Sequence, residues 1–108
     1  MTAVTTIADL SRPLALLRLL TADHPELPAL NIAISPNVPG RLDLAVHNDL
    51  AAFEAWREAL GIDSGAVRHN LQSGDTTVVL TAAAEIADAR VNLVGYSRNM
   101  ALLTAVAA

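Results

Sequence analysis

Three histidines, seven arginines and eleven carboxylates are the groups through which this chain of 108 residues could do chemistry, since it has neither lysine nor cysteine. Without cysteine there is no thiolate metal site, no cysteine nucleophile and no disulfide framework. His24, His47 and His69 lie too far apart to preset a metal site, because two histidines ready to share an ion stand two or four residues apart. His69 reads as a core or edge histidine held by a hydrogen bond. His47, with Asp43 and Asp49 close by in sequence, is the one plausible proton carrier. The five glycines, at 40, 61, 65, 74 and 95, have neither dinucleotide-binding nor Walker-type spacing, and no nucleophile elbow or zinc-protease signature occurs. The expectation is a protein with no catalytic residues, no bound metal and no cofactor.

The arginines offer a different chemistry. Guanidinium forks bind carboxylate and phosphate, and alternation along the expected strands puts Arg41, Asp43 and His47, Arg68 and Asn70, and Arg90 and Asn92 on one surface. That surface is read as either a solvated face or a ligand or partner face. The formal charge of −4 argues against nucleic acid, whose binders carry a basic excess that displaces counterions.

The elements that position these groups follow from hydropathy patterning. Apolar residues make up 53% of the chain, but 21 of them are alanine, which leaves 36 larger side chains: one core and a single domain over 1–108. A first helix starts near Thr6, where Asp9 completes a capping box, or at Ser11–Arg12 with Pro13 in the first turn, and runs to Asp23. Its stripe is Leu10, Leu14, Leu17 and Leu20, with Leu16 at the margin and Leu19 on the polar side. Pro25 and Pro28 end it.

Leu30 to Ser35 and Arg41 to His47 alternate as two strands of a hairpin. A second helix, capped by Asn48 or Asp49 and stopped by Gly61, buries Leu50, Phe53, Trp56 and Leu60. Further strands are expected over 66–72, 75–84 and 90–97, with a tight turn at Ser73–Gly74 and another near Asp88, so that 82–89 is extended rather than helical. Residues 99–108 carry no charge and either dock on the domain as a short helix or fray.

The order α-β-β-α-β-β-β implies an α+β two-layer sandwich, with both helices on one face of a mainly antiparallel five-stranded sheet. No stretch is long and apolar enough to span a membrane, and Arg18 interrupts the leucine-rich stretch that could pass for a secretory leader. A cytoplasmic protein is therefore expected. Leu16, Leu19, Met100 and Leu103 are left over from the core stripes, which points to self-association and to a non-enzymatic interaction or assembly module, a homodimer. A small-ligand or nucleic-acid module using the arginine-bearing face is the alternative.

Overall fold

A computed structural model describes residues 5–72, 74 and 76–98. A 3-10 turn over Ile7–Leu10 leads into helix α1, Ser11–Asp23. Both expected starts are used. The Thr6 N–H donates to Asp9 Oδ2 at 2.8 Å, and Pro13 then occupies the first turn of the α-helix, where its missing N–H costs nothing.

Of the expected Leu10–Leu14–Leu17–Leu20 stripe, Leu20 is buried and Leu17 packs half-buried against the core, but Pro13 and Leu16 complete the buried seam and Leu14 is 39% exposed. Five leucines in seven residues leave the helix nearly without an apolar direction, so packing rather than periodicity selects the face. Leu16 is consequently a core residue and offers nothing to a partner, whereas Leu19 is half exposed.

Strand β1 (Asn31–Ala33) is shorter than expected and pairs antiparallel with β2 (Arg41–His47). Helix α2 covers Leu50–Ala59, and the Asp49 carboxylate accepts the Ala52 N–H at 2.9 Å as its cap. Leu50 is 48% exposed instead of buried; the small Ala52 lies in the seam with Phe53 and Trp56, with Leu60 buried just beyond the helix. The Trp56 Nε1–H donates to the Pro28 carbonyl at 2.7 Å, which ties the proline-rich segment to α2. Arg57 donates to the Ile62 carbonyl at 2.7 Å and pairs with Glu54, whose carboxyl it holds below the ordinary carboxylate range. The same hydrogen bond raises Arg57.

After a short 3-10 turn at Ser64–Ala66 come β3 (Arg68–Gln72), β4 (Thr77–Ile86) and β5 (Ala89–Arg98). The sheet order is β1-β2-β5-β4-β3; only β2 and β5 run parallel, with Leu42 opposite Val91 and Leu44 opposite Leu93. The chain therefore leaves β2, passes through α2 and the β3–β4 hairpin, and returns as β5 to the middle of the sheet. Leu42, Leu44, Ala82, Ala89, Val91 and Leu93 form the sheet side of the core, against Leu16, Leu20, Phe53 and Trp56 from the two helices. The architecture is an α+β sandwich with the expected order of elements. Among the described residues no helix is long and apolar enough to cross a membrane.

Residues 82–89 are extended through the end of β4 and a two-residue turn, as the sequence implied. Ala87 and Asp88 sit at φ 51° and 63°, the left-handed pair that a type I′ hairpin turn requires. An alanine there bears a cost of about 1–2 kcal/mol. Changing Ala87–Asp88 to Asn–Gly is expected to stabilise the domain by about 1 kcal/mol, raising the denaturant midpoint at unchanged m-value. Gly74, with φ 65°, serves the β3–β4 connection; Ser73 and the segment from 99 onward, including Met100 and Leu103, lie outside the described residues.

Candidate binding face

Strand alternation gives the sheet two unlike sides. Leu42, Leu44 and Val46 of β2 and Val91, Leu93 and Gly95 of β5 point to the helices. Their neighbours Arg41, Asp43, Ala45 and His47, and Arg90, Asn92, Val94, Tyr96 and Arg98, point to the open side. The register then places Thr77, Val79, Thr81, Ala83 and Glu85 of β4, and Arg68, Asn70 and Gln72 of β3, on the same side. All seven residues expected to share this face do so.

This side concentrates positive charge. Among the described residues, four arginines (Arg41, Arg68, Arg90 and Arg98) and two carboxylates, Asp43 and Glu85, stand on its strands. Four against two leaves an excess of two positive charges on a chain whose formal charge is −4. Net charge alone concealed this segregation.

The arginines are not equivalent. Arg41 Nε lies 2.9 Å from Asp43 Oδ1, and the Asn92 amide donates to the same oxygen at 3.4 Å, so Arg41 is already paired. Arg90 and Glu85 are 4.0 Å apart and both well exposed, a contact that contributes little. Arg68 makes no ion pair among the described residues.

Arg68 and Arg90 line one open concavity of about 460 Å³ with Ala66, Thr81, Ala82, Ala83, Asn92 and Val94. The depression exists because β4 presents the short side chains Thr81 and Ala83 between longer ones on β3 and β5. From strand spacing and rise, the Cα atoms of Arg68 and Arg90 are about 16 Å apart, a gap two extended arginines can close around one anionic group. Thr81, Ala83 and Arg98 were not singled out from sequence. The signal that would have found them is the alternation of β4 and β5, readable only once their pairing is known.

The other candidates fare differently. The His47 ring lies flat on Tyr96, with centroids 5.0 Å apart and planes 9° from parallel. Asp43 is engaged by Arg41, and Asp49 caps α2, so the two carboxylates that could orient His47 have other tasks. His69 is exposed on β3, on the helix side of the sheet, and His24 Nδ1 lies 3.8 Å from Glu26. Among the described residues no three acidic or histidine side chains assemble into a metal cluster. A second, apolar cleft of about 340 Å³ lies between the end of α1 and residues 24–32, beside Trp56. Glu54 and Arg57, whose titration each displaces in the other, belong to α2, on the far side of the sheet from the arginine face.

Fold and face together define a small α+β sandwich that displays an arginine-bearing sheet. No protein-family model matches the chain, and neither the curated proteins nor the solved structures contain a match.

Proposed function

We propose that this protein is a non-enzymatic interaction module whose open sheet face receives an anionic group, of the kind presented by an acidic segment of a partner protein. The observation that carries this reading is the segregation of charge, with Arg68 and Arg90 around one depression on an otherwise acidic chain. It replaces the leucine surface as the basis for an interaction role, because Leu16 belongs to the core and Leu19 is only half exposed. A scattered exposed leucine is ordinary protein surface.

Phosphate shares the recognition chemistry, but a nucleic acid presents it along an extended polyanion that the remaining acidic surface would repel. The cytosol is the compartment we assign, where a chain without cysteines forgoes nothing by having no disulfides.

Calorimetric titration with a glutamate-rich peptide tests the reading. Binding is expected to weaken as salt is raised, since the contacts are exposed charges, and Arg68→Glu is expected to abolish it. Glu85→Gln frees Arg90 from its weak intramolecular partner and should tighten binding by up to about fivefold. An affinity indifferent to both substitutions, or preferential binding of a single-stranded oligonucleotide over the peptide, would overturn it.

A further inference from the structure

We infer that the anionic group entering the depression is the C-terminal carboxylate of a partner chain, which adds itself as a strand to the free part of the β4 edge. The inference rests on the anion-binding reading above and names the form its ligand takes. β4 pairs with β5 along its whole length, from Thr77 to Ile86, but with β3 only from Thr77 to Thr81. Residues 82–86 therefore have a strand on one side only, and the depression reaches that edge beside Ala66, Ala82 and Ala83.

Backbone geometry decides which groups are on offer there. The two-residue turn closes the β4–β5 hairpin on a hydrogen-bonded pair, Ile86 with Ala89. Bonds to β5 then fall at every second residue, so Ala83 and Glu85 turn their N–H and C=O to the free edge. Both residues are exposed, and neither has a backbone partner on that edge among the described residues. An extended peptide running antiparallel to β4 satisfies these groups with two of its own residues, those that face Ala83 and Glu85.

The start of β3 fixes how such a strand must end. An added strand lies on the line of β3, and that line is closed at Arg68, because the chain arrives there through the turn Ser64–Ala66 and Val67, which packs against the core. A strand antiparallel to β4 runs in the direction of β3 and so points its C-terminus at Arg68. Its last residue faces Ala83, two steps or about 7 Å from Arg68, with Arg90 across the depression. The opposite direction would set an ammonium group against Arg68, which charge opposes. The residue two places before the end faces Glu85 on the same side of the sheet, where a cation is favoured and an acid is not.

Calorimetry on the whole chain with acetylated pentapeptides is the test. The probe is threonine-valine-glutamine-valine-glutamate with a free C-terminus. Its counterpart has glutamate as first residue and a C-terminal amide, so that both carry the same net charge. The free acid is expected to bind about tenfold more tightly, and Arg68→Ala to erase that preference. N-methylation of the last residue, whose N–H bonds to Ala83, should cost about tenfold, whereas methylation of the fourth residue, whose N–H points away, should cost little. Ala83→Pro removes a donor that no bond within the sheet uses, so it should leave the circular dichroism unchanged and abolish binding. Lysine as third residue should tighten binding several-fold, a gain that Glu85→Gln removes. Free acid and amide that bind alike, or methylation without effect at the last residue, overturn the added strand while the anion-binding reading stands. If neither these peptides nor a glutamate-rich one binds, both are overturned.

Discussion

Replacing Gly95 by alanine lowers the thermal midpoint by roughly 5–20 °C, a loss of about 1–3 kcal/mol. Gly95 lies in the middle of β5, between Val46 of β2 and Leu80 of β4, with its missing side chain toward the helices. A Cβ built there would stand 2.8 Å from Phe53 Cδ2 and 3.3 Å from Cγ, well inside van der Waals contact. Phe53 is almost completely buried against Leu42, Leu44 and Leu93, so its ring cannot swing aside, and α2 would have to lift from the sheet. The cost arises from this one pair. Phe53→Leu alone is destabilising, but combined with Gly95→Ala it should recover part of the loss, giving a coupling of about 1 kcal/mol in a double-mutant cycle. Strictly additive effects would show that Gly95 serves some purpose other than the close approach of α2.

The second large effect concerns binding. Arg68→Ala and Arg90→Ala should each weaken the acidic peptide about tenfold, the loss expected for a hydrogen bond to a charged group at a partly exposed site, and the double variant should abolish measurable binding. The lysine substitutions separate two explanations. A depression that grips a carboxylate between two guanidinium forks loses much of its affinity when either arginine becomes lysine, because a point charge cannot bond bidentately. A merely basic surface keeps its affinity. Arg41→Ala supplies the contrast: Arg41 is spent on Asp43 and does not line the depression, so its removal changes affinity little.

Much of the fold was legible because the strands alternate cleanly. Leu42, Leu44 and Val46 fixed one side of β2, and Arg41, Asp43 and His47 the other, without reference to any contact. The turn at Ala87–Asp88 was legible from Asp88 and from the poor apolar anchoring a helix over 82–89 would have had. Helix α1 was harder. With leucines at 14, 16, 17, 19 and 20 the sequence names several faces, and only the position of the sheet and Trp56 decides that Leu16 turns inward.

The candidate site was half visible. That Arg68, Arg90 and Asn92 share a face follows from alternation alone, but that Arg68 and Arg90 border one depression depends on the strand order, in which β4 separates β3 from β5 and offers Thr81 and Ala83 as a low floor. The return of β5 alongside β2 brings Asn92 to Asp43, 49 residues away. No local pattern encodes that pairing.

Whether the open sheet face is where this protein meets its partner is tested most directly by mapping backbone amide shifts during titration with a glutamate-rich peptide. Saturable shifts are expected at Arg68, Thr81, Ala83, Arg90 and Asn92, with α1 and α2 unmoved. Shifts confined to the helices or to the apolar cleft beside Trp56, with the arginine face silent, would contradict it.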